Sequence, residues 1–221
     1  MNIFDQLTGL IAPHECLGCG AEATLLCDSC GQKVPKLPSR CYVCHKLTED
    51  YRTCDACRRH SPLYQVIAFC NYEGTPKELV HILKFGRAQA AAKDVAAMLS
   101  RLLTPGSNIV ITYAPTTGKR VRQRGYDQAK LIAKTLADKN NLTYGRALSR
   151  KGVSRQVGQN RNVRKEQMKY AFDCTNVKLI KNKHVLLVDD VLTTGATCES
   201  AATVMLAAGA RRVSVIVFAV V

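Results

Sequence analysis

From residue 63 onward, apolar positions fall into two recurring patterns. Short, nearly continuous apolar runs at residues 66–72, 108–113, 184–188 and 212–220 predict buried β-strands, with a weaker strand at 142–148. Between them, apolar residues recur at helical spacing, which predicts helices at 77–85, 90–103, 127–138 and 197–208. Strands that are apolar on both faces are typical of a parallel sheet with helices on each side, so we expect an α/β fold.

Before residue 63 the chain has too little apolar content for a core of its own, but it is rich in cysteine. Eight of the eleven cysteines form four Cys-x-x-Cys pairs: Cys16/Cys19, Cys27/Cys30, Cys41/Cys44 and Cys54/Cys57. Two residues between thiolates allow a tight knuckle that presents both sulfurs to one tetrahedral ion. The spacing therefore predicts two structural zinc sites of four cysteines each, and the metal replaces the missing core.

The pairing of the four knuckles has two solutions. Sequential pairing joins the first pair to the second and the third to the fourth, across gaps of 7 and 9 residues, and short gaps favour it. Interleaved pairing joins the first to the third and the second to the fourth. Gly20 and Gly31 follow the second cysteine of their pairs, where a positive φ often ends the turn. His14, His45 and His60 are expected at the surface rather than as ligands.

The composition bounds the class of protein. The pattern change predicts a zinc-ribbon module at residues 1–62 and a larger domain at 63–221, joined through a linker that ends at Pro62. The remaining cysteines, Cys70, Cys174 and Cys198, are expected to behave as small buried apolar residues.

The N-terminus has no signal-peptide pattern, and the longest apolar run is too short to span a bilayer. We therefore expect a cytoplasmic protein without membrane insertion.

The net charge of +15 is concentrated in one stretch. Residues 114–170 carry 15 basic and 3 acidic side chains, a net +12. Such a cluster attracts polyanions, which include nucleic acid, pyrophosphate and acidic lipid.

A buried strand, two acids, a small-residue loop and a helix follow one another at residues 185–208. Ligands of open α/β sheets bind at the carboxyl ends of the strands, where Asp189 and Asp190 are expected. The loop contains Thr193, Thr194, Gly195, Ala196 and Thr197, whose hydroxyls and N–H groups at a helix start suit a phosphate monoester. The two acids suit ribose hydroxyls, directly or through a divalent cation.

This stretch resembles the phosphoribosyl pyrophosphate motif of type I phosphoribosyltransferases, a Rossmann-like fold with a parallel sheet and helices on both faces. Further segments resemble the ComF/GntX branch, which also carries an N-terminal zinc ribbon. They are Leu83-Lys84-Phe85, Tyr113-Ala114-Pro115, Arg120, Arg124-Gly125-Tyr126-Asp127-Gln128, and Gln156 with Arg164, Gln167 and Ala171-Phe172. The chain departs from the branch at Ala114, Tyr126, Asp127 and Gln167, and Asp127 puts an acid where a neutral amide is usual.

The resemblance implies a ligand and a chemistry. Phosphoribosyl pyrophosphate would bind with Mg2+ at Asp189 and Asp190, and pyrophosphate would leave ribose C1. The loop at 114–117 would supply backbone donors, with Thr116, Thr117, Lys119, Arg120 and Arg124 as the diphosphate-binding residues. Residues 149–169 would form a loop that closes over the reaction centre. No residue identifies the acceptor.

Two function classes follow from the resemblance and the charge. The first is a role in DNA uptake or utilisation during natural competence, with contact to single-stranded DNA and with competence-machinery proteins as further candidate partners. The second is a metabolic phosphoribosyltransferase that has no DNA role. A transcriptional regulator on the same fold is a third class, but the chain has no helix-turn-helix signal.

Overall fold

A parallel sheet forms the centre of the computed structural model, which describes residues 14–86, 88–103, 109–151 and 171–221. The strands are β1 Leu63–Asn71, β2 Ile109–Tyr113, β3 Thr143–Tyr144, β4 Leu148–Arg150, β5 Phe172–Cys174, β6 His184–Leu192 and β7 Arg212–Val220. Five of them make the main sheet in the order β1-β7-β6-β2-β3, and every neighbouring pair is parallel. Strands β4 and β5 form a separate antiparallel pair.

Helices cover both faces of the sheet. They are α1 Asp28–Lys33, α2 Asp55–Arg58, α3 Gly74–Phe85, α4 Ala90–Ser100, α5 Gly118–Arg124, α6 Gln128–Asn140, α7 Val177–Ile180 and α8 Ala196–Ala207. Helices α3, α4 and α6 share one apolar cluster with alternate residues of the central strands, such as Ile111 and Phe218. Helices α7 and α8 share a second apolar cluster with the strand residues that face the other side of the sheet, such as Leu187 and Val217. The predicted α/β architecture is confirmed.

Two predicted elements differ from the structure in an informative way. Strand β6 continues beyond residue 188 to Leu192, so Asp189 and Asp190 lie inside the strand near its end rather than after it. The weak strand predicted at 142–148 is two short strands, β3 and β4, separated by residues 145–147. Helix α5 was not predicted, because four of its seven residues are basic and it has no apolar periodicity.

The cysteine-rich region packs on helix α4. Leu25 and Leu26 lie in the same apolar cluster as that helix, and their N–H groups donate to Asp94 Oδ2 at 2.8 and 3.1 Å. A Cβ at Gly31 would lie 2.3 Å from Met98 Sδ, so this glycine allows close packing of the two helices. The positive φ predicted for Gly31 is wrong, because Gly31 lies within helix α1. We propose residues 1–62 and 63–221 as two modules, the first of which depends on α4 to complete its core.

Within the described ranges, no helix combines the length and the apolar character that a bilayer crossing requires.

Candidate functional site

The cysteine knuckles converge in two clusters. Cys16, Cys19, Cys27 and Cys30 form one and Cys41, Cys44, Cys54 and Cys57 form the other, with the sulfurs of each cluster within 4.8 Å of one another. Sequential pairing is therefore confirmed over interleaved pairing. Cys19 Sγ lies 3.7 Å from Cys27 Sγ, and Cys44 Sγ lies 3.6 Å from Cys54 Sγ. A zinc–sulfur bond of about 2.3 Å in a tetrahedron requires sulfurs about 3.8 Å apart. Both clusters thus fit zinc.

The electrostatics of the sulfurs also fit a cation. Burial opposes ionisation of Cys16, but N–H groups of Cys27, Gly18 and Cys19 outweigh it and lower the Cys16 pKa to about 6. Cys41 has a pKa of about 6 for the same reason, through the N–H groups of its own knuckles. The neighbouring sulfurs raise the pKa of Cys30 and of Cys57 to about 12. One thiolate in each cluster is held by the backbone, and a divalent cation would offset the repulsion among the others.

The turns of the knuckles explain the residues around them. Gly20 has φ 75°, as its position predicted, and His45 takes φ 60° at the equivalent position of the third knuckle. A Cβ at Gly18 would lie 2.7 Å from Cys30 Sγ. His14, His45 and His60 are exposed and belong to neither cluster.

A cleft of about 410 Å³ opens at the carboxyl edge of the sheet. Six of the predicted site residues line it: Thr116, Arg120, Arg124, Asp189, Asp190 and Thr197. Lys84, Phe85 and Gln128, which were not predicted for the site, also line it, as does Arg150 from the start of the predicted closing loop. Lys119 is exposed on α5, and Thr193 and Thr194 are exposed on the loop before α8.

One of the two acids of the cleft pairs with a lysine. Lys84 Nζ lies 3.2 Å from Asp190 Oδ2, and the two side chains are only 22% and 12% exposed. Asp189 Oδ1 accepts the N–H of Asp190 at 2.9 Å. Burial and the charge of Asp190 raise the pKa of Asp189, while that hydrogen bond and Lys84 act against the rise. A further cation bound in the cleft would favour the ionised form of Asp189 and lower its pKa again.

The loop after β2 is fixed by hydrogen bonds. Ala114 N–H donates to Val188 O at 3.0 Å, and Thr116 N–H donates to Asp127 Oδ2 at 2.9 Å. Asp127 Oδ1 also accepts the N–H of Lys130 at 3.3 Å, which caps helix α6. A carboxylate offers two acceptor oxygens for these two donors, which explains the acid at this position. In this conformation, two of the backbone donors that we predicted for a diphosphate are engaged within the protein.

Helix α5 carries the arginines of the cleft. Thr117 caps its start by accepting the N–H of Arg120 at 3.4 Å, and Gly125 ends it with φ 85°. Arg120 and Arg124 lie one turn apart and line the cleft together. Burial and the charge of Arg120 lower the pKa of Arg124, so this side of the cleft is deficient in negative charge.

The loop before α8 contacts the second cysteine cluster. Gly195 has φ 77° and begins the helix, and Glu199 N–H donates to Gly195 O at 2.9 Å. A Cβ at Gly195 would lie 3.4 Å from Cε2 of Tyr42, a residue between Cys41 and Cys44. The hydroxyl of Tyr42 donates to Glu199 Oε1 at 2.7 Å and also bonds Ser61.

Comparisons with known proteins agree with this architecture. A family model described as "Phosphoribosyl transferase domain" matches residues 121–220. The DNA utilization protein YhgH of Escherichia coli (strain K12) is 28% identical over 211 residues, which cover 86% of this chain and 88% of that protein. The competence protein ComFC of Bacillus subtilis (strain 168) is 26% identical over 198 residues, which cover 83% and 79%. These relatives, the phosphoribosyltransferase domain and the two four-cysteine clusters confirm the resemblance to the ComF/GntX family.

Among solved structures, the adenine phosphoribosyltransferase of Thermoanaerobacter pseudethanolicus is similar at 13% identity and a TM-score of 0.41. The match covers 62% of this chain and 84% of that one.

Two residues that line the cleft carry buried donors that are unsatisfied. Gln128 is only 2% exposed, and neither its Nε2 nor the buried Nε of Arg150 has a hydrogen-bond partner among the described residues. Buried donors without partners are rare, and both residues line the cleft. Gln128 and Lys84 lie in segments that resemble the ComF/GntX branch. Arg150 lies at the start of the segment 149–169 that was expected to close over the reaction centre, and β4 brings it to the cleft.

The remaining predictions have mixed outcomes. Cys70 and Cys198 are buried, as expected, and burial raises the pKa of Cys70 to about 12 and that of Cys198 well above its usual value. Cys174 is half-buried. Most of the closing loop predicted at 149–169 lies outside the described residues, as do Gln156, Arg164 and Gln167.

Proposed function

We propose that this protein binds phosphoribosyl pyrophosphate together with Mg2+ in the cleft at the carboxyl edge of the sheet. The observation that supports it is the charge arrangement of that cleft. Lys84 pairs with Asp190 but not with Asp189, and Arg120 and Arg124 line the same cleft as Gln128 and Arg150, which each carry an unsatisfied donor. A ligand with a sugar at one end and a diphosphate at the other suits this combination of acids and arginines.

Each part of the ligand has residues of suitable chemistry. The 5-phosphate suits the N–H groups and hydroxyls of the loop from Thr193 to Thr197, at the start of a 12-residue helix. The ribose hydroxyls suit Asp189 and Asp190. The diphosphate suits Arg120 and Arg124, and Thr116, Thr117 and Lys119 are the further residues that we assign to it.

The carboxylates of the cleft fit Mg2+, which prefers oxygen ligands and the phosphates of a substrate. Asp189 is the acid that Lys84 does not pair, so we assign it the larger share of metal binding. Mg2+ supplies charge that stabilises pyrophosphate as a leaving group. If the cleft is catalytic, the bond from C1 to oxygen breaks, and its electron pair leaves with the pyrophosphate while a nucleophile attacks C1.

We further propose that the protein acts in DNA uptake or utilisation and contacts single-stranded DNA. One relative is called a DNA utilization protein and another a competence protein. In this chain, Phe85 is 63% exposed at the cleft, with Arg124 Cζ 5.2 Å from its ring centroid. An exposed ring beside an arginine is a common platform for an unpaired base. A phosphoribosyltransferase with an unidentified acceptor and no DNA role is the alternative.

Thermal denaturation with phosphoribosyl pyrophosphate and Mg2+ tests the first proposal. Binding to the folded state should raise Tm, and about 2.7 kcal/mol of stabilisation is expected at a hundredfold excess over Kd. Asp190→Asn should reduce the shift, and the double variant Asp189→Asn/Asp190→Asn should abolish it. Asp173→Asn is the matched control, since Asp173 is half-exposed and pairs with Lys151 on the β4–β5 hairpin. Equal shifts in wild type and the double variant would sink the assignment, and released pyrophosphate would establish catalysis.

A further inference from the structure

Tyr42 connects the second cysteine cluster to the phosphate loop. It lies between Cys41 and Cys44, two residues of that cluster. Its neighbour Val43 is 47% exposed, as expected of a knuckle, but Tyr42 is turned inward and half-buried. The direction of this side chain is what distinguishes it within the knuckle.

Three contacts hold the ring of Tyr42 in place. Its hydroxyl donates to Glu199 Oε1 at 2.7 Å and bonds the hydroxyl of Ser61. Its ring edge faces Gly195, where an added Cβ would lie 3.4 Å from Cε2. Ser61 also accepts the N–H of Leu63 at 3.1 Å, at the start of β1.

The partners of Tyr42 belong to the element that begins helix α8. Glu199 N–H donates to Gly195 O at 2.9 Å, so Glu199 closes the first turn of the helix. Gly195 has φ 77° and no side chain of its own, and the local side-chain bond is a long one, from the Ala196 N–H to Thr194 Oγ1 at 3.5 Å. The ring and hydroxyl of Tyr42 therefore constrain a turn whose own side-chain hydrogen bond is weak.

We propose that Tyr42 is a positioning residue through which the second cysteine cluster, once it holds zinc, keeps the phosphate loop in its binding conformation. The inference rests on the proposed function for the identity of the ligand, but not for the order of the loop. Zinc fixes the knuckle, the knuckle fixes the ring, and the ring fixes the turn at Gly195. The first cluster packs on α4 instead and has no such role.

Hydrogen exchange of the ligand-free, zinc-loaded full chain tests the positioning directly. In Tyr42→Phe, which loses only the hydroxyl, amides of residues 193–199 should exchange roughly three- to tenfold faster, because the net contribution of one hydrogen bond is removed. Val43→Ala in the same knuckle should leave exchange unchanged. Glu199→Gln keeps an acceptor and should retain slow exchange, whereas Glu199→Ala should match Tyr42→Phe and add nothing to it in the double variant.

Zinc-ligand variants test the origin of the constraint. Elemental analysis should give two zinc ions in wild type and one each in Cys54→Ser and Cys19→Ser. Cys54→Ser should accelerate exchange at residues 193–199, and Cys19→Ser should not. Unchanged exchange in Tyr42→Phe and Cys54→Ser would overturn the proposal. The shift in Tm with phosphoribosyl pyrophosphate and Mg2+ is measured in parallel. If it is absent in wild type, the proposed ligand is wrong, while the exchange data still decide the role of Tyr42.

Discussion

Asp189 and Asp190 are suited to binding a cation or a sugar, but together they lower the stability of the ligand-free protein when both are ionised. Lys84 pairs with Asp190, and Asp189 keeps a raised pKa because of burial and its neighbour. A carboxyl group whose pKa is raised on folding stabilises the folded state only while it is protonated. Its contribution is lost as pH rises from its ordinary pKa of 3.8 to the folded value of about 8.

The pH dependence of stability follows from this sign. Ligand-free Asp189→Asn should be more stable than wild type at the upper end of that window, by about 1 kcal/mol or roughly 2–4 °C in Tm. The difference should shrink as pH falls, because the wild-type carboxyl group then takes up its proton. Thermal denaturation across a pH series measures it. Asp138→Asn, at an exposed position of α6, is the control and should show no such trend. A wild type that is equally or more stable throughout would contradict the account.

The exposed ring of Phe85 provides a second prediction at this scale. Phe85→Leu should weaken binding of a short single-stranded oligonucleotide about five- to a hundredfold, since one stacked base contributes about 1–3 kcal/mol. Tyr64→Leu is the control, because Tyr64 also lies beside arginines but at the start of β1, the opposite edge of the sheet. Fluorescence anisotropy at fixed salt measures the affinity. Equal losses in both variants would exclude Phe85 as a specific platform.

Among the elements, those that one local pattern decides have the structure that the sequence predicts. Strand β7 has the predicted bounds, since Ser214 alone interrupts the apolar run from Val213 to Val220. Helix α5 was missed because it depends on caps at Thr117 and Gly125 rather than on an apolar face. The packing of the cysteine-rich region on α4 could not be predicted either, because it joins residues about 70 positions apart.

The contact between helices α1 and α4 can be tested at Gly31. Gly31→Ala should lower the free energy of unfolding by about 1–3 kcal/mol, because the new methyl group would overlap Met98. The loss should be smaller in a Met98→Ala background, where the space is open. Gly20→Ala is a contrasting variant: it strains a positive φ in open space, so Met98→Ala should not relieve it. Denaturant unfolding of each glycine variant, with and without Met98→Ala, distinguishes steric overlap from backbone strain.

At the scale of the whole molecule, the excess charge lies next to the cleft. Arg120, Arg124 and Arg150 line it, and all three belong to the basic stretch at residues 114–170. The sequence located this charge and both cysteine clusters. It could not show that Tyr42 and Gly195, 153 positions apart, are in contact, since neither residue carries a signal of its partner.

The proposed contact with DNA predicts a salt dependence. Each phosphate neutralised on a single strand contributes about −0.7 to the slope of log affinity against log salt, so about four contacts give a slope of roughly −3. Arg120→Glu/Arg124→Glu should flatten the slope. Lys178→Glu/Lys181→Glu changes the same charge at the opposite edge of the sheet and should leave it unchanged. Binding without salt dependence, or no binding at low ionic strength, would favour the phosphoribosyltransferase without a DNA role.

The packing of the cysteine-rich region on α4 also has a consequence for biosynthesis. Chains emerge from the ribosome N-terminus first. The first cluster ends at Cys30, but the surface that buries Leu25 and Leu26 is completed only when residues 90–100 have followed. During translation there is therefore a period in which the four cysteines of the first cluster have been synthesised but helix α4, on which they pack, has not. Metal capture at that stage precedes folding of the domain on which the cluster later rests.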